Sequence, residues 1–337
     1  MNETARFMWE QRENGINDTN IPALVAERYG ISIRQAEIDF RNTLRQWRVE
    51  GLVGPAGSRH HYQIGGASFS VDLPDHAIAR ELAVIVEHLE LRSTSDPQES
   101  PERQFAVEVE GSQIVLRMDG LEVLCSEAID EIMERLAEEV VMHAYKAVDW
   151  LVSTHAAAIG TEDGCVLMPG ASGAGKSTLT ACLLARPHLR YVTEDIALLD
   201  RQSLSVVPVP GVLVLKKGSW KLLDKALQDL GSRPTYQRRG QQVRYWVPPR
   251  GQIAPAPLSV KAVVFPRRSD QASVMLTPLA PSEGLNQIVA APATVHPPIT
   301  AETVDSLVQW ARVVPFYSLA YDRLEDAVSK LAALLDT

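Results

Sequence analysis

The feature that most narrows what this chain can become is the run Gly170-Ala171-Ser172-Gly173-Ala174-Gly175-Lys176-Ser177-Thr178, which satisfies the pattern G-x-x-x-x-G-K-[ST]. An apolar strand-like run, Cys165 to Met168, leads into it and a helical pattern from Ser177 to Leu184 comes after it, which is the context a phosphate loop requires. Glycines allow such a loop to turn its backbone N–H groups inward around phosphate oxygens, where a Cβ would obstruct. Lys176 is placed to reach the β- and γ-phosphates, and the Ser177 hydroxyl to ligate Mg²⁺. The N-terminus of the helix after the loop adds partial positive charge. The expected ligand is therefore a nucleoside triphosphate with Mg²⁺: ATP, with GTP left open by the sequence. A phosphate loop alone does not choose between hydrolysis and transfer.

Two further features point to chemistry. Glu194-Asp195 succeeds a short apolar run, which sets both carboxylates near the carboxyl end of a strand, where open α/β sheets place ligands. One could hold the metal and the other take a proton from an attacking hydroxyl; adjacent acids at a strand end are also commonly a solvated turn. His155 heads the apolar run His155 to Ile159. That run is separated from Cys165 to Met168 by Thr161-Glu162-Asp163-Gly164, a spacing that suits a β-hairpin. A lone histidine there is by default a hydrogen-bonded structural residue, and it gains a chemical role only if the hairpin carries it beside the phosphate loop.

The 337 residues divide by pattern into three regions. Residues 1–54 read as a compact three-helix unit, with Phe7 and Trp9 in a first helix, a second opening at Ile21, and a third from Ile33 to Arg48. Asp18, Thr19 and Asn20 are candidate N-caps, and Gly30 and Gly51 punctuate the helix ends. Residues 55–150 read as a small β-rich α+β region, with β-like runs at Tyr62–Gly65, Phe69–Val71, Phe105–Val109 and Ile114–Met118. A surface loop is expected over Ser93 to Pro101, and one long helix over Ser126 to Trp150 packs this region on the nucleotide-binding half. That half spans residues 151–337. Its further strands are expected at Tyr191–Val192, Leu204–Val207, Val212–Leu215, Val243–Val247 and Val260–Phe265, and its closing helices at Ala301–Val313 and Leu324–Leu335.

Composition excludes several classes of partner. A net charge of -9 argues against a general polyanion binder, because affinity for nucleic acid comes largely from Lys and Arg replacing counterions. The three cysteines, Cys125, Cys165 and Cys182, are odd in number and widely spaced, so they encode neither a disulfide framework nor a zinc site. No apolar stretch suits a signal peptide or a membrane span, so the expected location is the cytoplasm.

Taken together, these residues support two resemblances. His155-Ala156-Ala157-Ala158, Leu167 to Thr178, and Thr193-Glu194-Asp195-Ile196-Ala197-Leu198-Leu199 resemble the HPr serine kinase family, most closely its HPr-kinase-related branch associated with peptide-modification clusters. That family has a histidine on the strand before the phosphate loop and an acidic pair, normally Asp-Asp, after the next strand. The resemblance implies an α/β phosphate-loop kinase core like that of phosphoenolpyruvate carboxykinase and phosphorylation of a seryl hydroxyl. It assigns Lys176 and Ser177 to phosphate and Mg²⁺, and His155, Glu194 and Asp195 to metal binding and proton transfer. The metal is expected on Ser177 and Asp195, which would make Glu194 the base, although the sequence leaves open which of the two acids takes which role. Glu194 departs from the family's aspartate, and its extra methylene shifts the carboxylate by about 1.5 Å.

Asn2 to Glu10, Ile21 to Tyr29 and Leu44 to Leu52 resemble the helical part of PqqD, a small winged-helix-like domain that binds leader peptides of ribosomally made precursors. The chain begins at Met1, so the strands that precede the helices in that family are expected to be absent. Arg34, Arg41, Arg45 and Arg48 fall on one helical face, which could bind an acidic peptide or a nucleic-acid backbone in winged-helix fashion, or simply be solvated. Lys216 and Lys217 could touch phosphates or substrate, or be a charged strand end. The expectation is a kinase whose acceptor is a hydroxyl of a peptide or small protein, including a ribosomal peptide precursor, with self-association left open. The rivals are a phosphate-loop NTPase that drives a conformational change and a nucleotide-sensing peptide- or DNA-binding regulator without transfer activity.

Overall fold

The computed structural model describes residues 3–13, 16, 20–49, 59–74, 77–91, 102–269 and 273–336. Asp18, Thr19, Gly51 and the expected loop over Ser93 to Pro101 lie outside the described residues, as do the side chains of Arg41, Arg45 and Arg48. The chain divides into two units, residues 1–58 and 59–337.

The first unit contains α1 (Glu3–Glu13), α2 (Ile21–Tyr29) and α3 (Ile33–Val49). Met8, Ile21, Val25, Phe40 and Trp47 interlock as its core, and Trp9 meets Trp47 edge to face at 5.0 Å. Asn20 is the N-cap of α2 without a side-chain capping bond, and Gly30 ends that helix at a φ of 65°, a conformation that a Cβ disfavours. Arg34 is exposed.

In the second unit β1 (Arg59–Ile64), β2 (Ala67–Asp72), α4 (Ala79–Val86), β3 (Arg103–Glu110), β4 (Gln113–Met118), β5 (Leu121–Ser126) and α5 (Ile129–Ala147) come first. The five strands form one sheet in chain order, with only the β2–β3 pair parallel. One face of this sheet packs through Phe69, Phe105 and Leu116 against Leu82 of α4 and Ile132, Leu136 and Val140 of α5. The spacing of those α5 residues by three or four is what holds a single helical stripe against the sheet.

Next along the chain are β6 (Trp150–Thr154), β7 (Ala156–Thr161), β8 (Gly164–Pro169), α6 (Lys176–Leu184), β9 (Arg190–Thr193), β10 (Ala197–Asp200), β11 (Val206–Val207), β12 (Leu213–Lys216), α7 (Lys217–Leu223), β13 (Tyr236–Arg238) and β14 (Gln241–Trp246). The chain continues with β15 (Val260–Arg268), β16 (Met275–Leu279), α8 (Pro281–Ala290), β17 (Ala293–Val295), α9 (Ala301–Val313), β18 (Phe316–Tyr321) and α10 (Leu324–Leu335). The protein is thus a mixed α/β chain with several sheets.

The central sheet has the order β16-β18-β15-β8-β7-β9, with β18, β15 and β8 parallel and the rest antiparallel. It is covered on both faces, and the alternation along each strand shows how. Ala157, Ile159, Val166 and Met168 face α6 and α10, whereas Ala156, Ala158, Cys165 and Leu167 face a second core with Ile288 of α8 and Trp310 of α9. A strand buried on both faces reads as a continuous apolar run. The β7–β8 hairpin turns through Glu162-Asp163, with Thr161 opposite Gly164. A Cβ on Gly164 would come within 2.7 Å of the Ser259 carbonyl oxygen, so the turn requires glycine.

The expected helix from Ser126 to Trp150 is shorter, because Trp150 to Thr154 form β6, a fully buried strand flanked by β10 and β17. His155 accordingly sits at the bend between β6 and β7 rather than inside a strand. Residues on either side of position 150 share one core cluster: Leu198, Tyr236 and Val243 pack with Phe69 and Leu136. Among the described residues no helix is long and apolar enough to cross a membrane.

Candidate functional site

The loop from Gly170 to Gly175 leaves the carboxyl end of β8, between β7 and β15 in the central sheet, and enters α6 at Lys176. Gly173 and Gly175 both have a φ of 91°. A Cβ on Gly175 would collide with the Tyr321 hydroxyl, so this glycine is required by conformation and by space. Gly170, Ala171 and Ala174 build the turn, with the Ala174 amide donating to the Ala171 carbonyl at 3.2 Å. Lys176 is folded back over the loop, its Nζ donating to the carbonyls of Gly170 at 2.6 Å and Ala171 at 3.3 Å. It is only 5% exposed, and burial pushes its pKa down.

The acidic pair arrives from β9, which lies beside β7, which lies beside β8. Thr193 Oγ1 donates to the Ile196 carbonyl at 2.7 Å and ties off the turn that carries Glu194 and Asp195. The two carboxylates part there. Ser177 Oγ donates to Glu194 Oε1, so it is Glu194 that meets the helix-start serine. His155 Nδ1 lies 2.8 Å from the Asp195 carbonyl and 3.0 Å from Asp195 Oδ1; both are acceptors, so Nδ1 is the protonated nitrogen. The sequence put the metal on Ser177 and Asp195, whereas the structure brings Ser177 together with Glu194 and Asp195 together with His155. The histidine is also tied to the glycine-rich loop, because the Gly170 amide donates to its carbonyl at 3.2 Å.

The pairings split the two acids electrostatically. Burial raises the pKa of Glu194, the neighbouring Asp195 charge adds to this, and the Ser177 bond with the charges of Lys176 and His155 opposes it. The His155 hydrogen bond holds Asp195 below the usual carboxylate range, although 60% of its side chain is exposed. Two neighbouring carboxyls with opposed shifts are the pattern by which an enzyme divides two roles.

These groups open on one cavity of about 870 Å³. Ser172, Gly173, Gly175, Lys176, Ser177 and Thr178 line it from the loop, and His155, Glu194 and Asp195 from beside it. Lys216 also lines it, whereas Lys217 is absent from the lining. Four contributors gave no signal in the sequence: Arg238 and Arg239 at the turn between β13 and β14, and Arg268 and Tyr321 at the ends of β15 and β18. They become neighbours of the loop only through strand pairing. Comparison with protein-family models and with curated proteins finds no match to this chain.

Proposed function

We propose that this chain is a Mg²⁺-dependent kinase, with a phosphate-loop core like that of HPr kinase and phosphoenolpyruvate carboxykinase, which transfers the γ-phosphoryl group of ATP to a hydroxyl of a peptide or small protein. The observation that carries the reading is the parting of the acids, Glu194 to Ser177 and Asp195 to His155, within one cavity beside Lys176. A binder of nucleotide would need the loop but not a second carboxylate oriented by a histidine. The cavity falls within the ~300–1,000 Å³ typical of small-molecule sites.

The donor set fits a hard divalent cation. Among the described residues no cluster of three or more His, Cys, Asp or Glu would hold a metal alone. Mg²⁺ is usually held by one or two carboxylates together with substrate phosphates, and Ser177 with Glu194 supplies hard oxygens for that arrangement. When bound, the ion neutralises charge on the β- and γ-phosphates. Lys176 exchanges its loop carbonyls for phosphate oxygens, and the loop amides hold the chain of phosphates in line. The acceptor oxygen attacks the γ-phosphorus, the bond to the β–γ bridging oxygen breaks, and ADP departs with that electron pair. The acceptor's proton goes to Asp195, whose low pKa keeps it ionised and whose carboxylate the His155 N–H orients. The three-helix unit would bind the acceptor peptide, in the manner the PqqD resemblance implies, and the reaction would take place in the cytoplasm.

The test is label transfer from γ-labelled ATP to a pool of serine-containing peptides, with Mg²⁺ present or chelated and with Lys176→Ala as control. The expected result is a Mg²⁺-dependent, alkali-labile phosphopeptide that the variant does not form. Release of inorganic phosphate without transfer would instead favour the NTPase, and binding without turnover the regulator.

A further inference from the structure

The hairpin of β13 and β14 carries two arginines at its tip that the phosphate loop and acids leave unexplained. Arg238 is paired opposite Gln241, so Arg239-Gly240 is a two-residue turn, with φ values of 49° and 73°. Such turns favour Asn, Asp or Gly at the first position, and an arginine with positive φ is uncommon. An unfavourable residue kept at a strained position points to a use for its side chain. Both arginines line the cavity that holds Ser177 and Asp195.

In the structure they are parked on α5. Arg238 Nε lies 3.1 Å from Glu134 Oε1, and Arg239 reaches Glu134 at 2.8 Å and Glu138 at 2.7 Å. Two guanidinium groups therefore share two carboxylates one helical turn apart. Of these four side chains only that of Arg239 is well exposed, at 73%, against 20% for Arg238, so the contacts of Arg239 are the weakly held ones and exchange first for a denser anionic partner. A guanidinium fork suits phosphate oxygens as well as carboxylates. Arg238 already contributes to holding Asp195 ionised, so its field reaches the acid where transfer would occur.

We infer that the Arg238-Arg239 tip is a phosphoryl clamp, built into the same chain, which leaves Glu134 and Glu138 to bind the γ-phosphoryl group as it is transferred. This rests on the kinase reading of the cavity. Charge that develops on the phosphoryl oxygens is neutralised by Arg238, with Arg239 beside it, and no covalent step falls to either residue.

The experiment compares wild type with Arg238→Gln, Arg238→Lys, Arg239→Asn and Lys176→Ala. It measures Mg²⁺-dependent ATP turnover, the Kd for MgADP alone and with aluminium fluoride as the phosphoryl mimic, and Tm. In Arg238→Gln we expect turnover to fall by ~10³-fold, as for other phosphoryl-clamping arginines, while MgADP affinity changes by less than about threefold. The added affinity conferred by aluminium fluoride should be lost, and free guanidinium should restore part of the turnover. Arg239→Asn suits the turn better, so it should keep or raise Tm and still slow turnover by about tenfold. Arg238→Lys keeps a charge without the fork and should fall between wild type and Arg238→Gln.

Unchanged turnover in Arg238→Gln or Arg239→Asn overturns the clamp, as does a fall in MgADP affinity that matches the loss with aluminium fluoride. A wild-type protein that gains no affinity from aluminium fluoride overturns it too. Turnover that survives Lys176→Ala sinks the kinase site itself, whereas turnover lost in Lys176→Ala but kept in Arg238→Gln sinks only the clamp.

Discussion

The two large sheets of the second unit use the same residue types to opposite ends. The central sheet is buried on both faces, so β7 and β8 consist of small and apolar residues throughout, and polar side chains enter only where strands end. His155, the glycine-rich loop and the Glu194-Asp195 turn all occupy such ends. The sheet of β1 to β5 has one face against α4 and α5 and the other left to polar residues, as the alternating burial of β3 shows. Its polar groups are spread along strands, where Arg117 meets Glu108 at 3.2 Å and Glu110 at 3.5 Å. A sheet covered on both sides concentrates its chemistry at its rim, whereas one covered on a single side disperses polarity over its open face.

The two sheets should therefore respond differently to substitution: variants at the rim of the central sheet should lose turnover and keep stability, and variants under the five-stranded sheet the reverse. The largest effect is expected for Asp195→Asn, which should slow phosphoryl transfer by ~10²–10⁴ with nucleotide affinity and Tm nearly unchanged. Wild-type rates in single-turnover transfer would break the assignment. Next is Phe69→Ala, which removes a fully buried ring that stacks on Tyr62 at 5.2 Å and meets Phe105 edge to face. Urea unfolding should show a loss of about 3–5 kcal/mol while the Kd for MgATP holds. A matching loss of turnover in the folded variant would mean that the five-stranded sheet does more than support.

His88 joins the two regions, its Nε2 donating to the Pro210 carbonyl at 2.6 Å across 122 residues of chain. Burial pushes its pKa from 6.5 down to about 4. Between those values the unfolded chain takes up a proton that the folded protein refuses, so stability is full above pH 6.5 and falls as pH drops toward 4. The loss should be about 3 kcal/mol, and unfolding of His88→Gln across that range should lack most of it. An unchanged pH profile in the variant would remove this histidine from the joint. The smallest effect concerns Glu194. Its raised pKa means that Mg²⁺-dependent nucleotide binding should weaken on acidification at a higher pH than an ordinary glutamate would give, by at most about tenfold per pH unit for one linked proton. Binding by Glu194→Gln should be weaker at neutral pH and lack that dependence.

Legibility in the sequence tracked the range of the interactions. The hairpin of β7 and β8 could be read because Thr161 to Gly164 contain the whole turn, and α5 because its stripe repeats within one helix. β6 could not: Trp150 to Thr154 continue an apolar pattern with neither Gly nor Pro to mark the end of α5, and the partners that make them a strand lie at Ala197–Asp200 and Ala293–Val295. β18 has the same cause, since β15 and β16 on either side decide it. The arginine tip was silent because Glu134 and Glu138, which hold it, precede it by about a hundred residues.

The sequence by itself determined the glycine-rich loop from Gly170 to Gly175 and the helix that starts at Lys176. Nine consecutive residues contain the glycines with positive φ, the lysine and the helix start, so the features that mark the loop lie within one short stretch of chain, although Tyr321 and His155 also press on it from outside. It also placed His155 and the acidic pair among the candidates. Only the tertiary structure decided which acid meets which partner. Glu194 and Asp195 are adjacent and nearly alike, and no local preference distinguishes them. The turn tied by Thr193 and Ile196 sends one side chain to Ser177 and the other to His155, and it is held there by strands that pair across 30 or more residues. Hydrogen bonding and desolvation act through space, so two carboxyl groups that are equivalent in the chain acquire opposite pKa shifts once the fold gives them different neighbours.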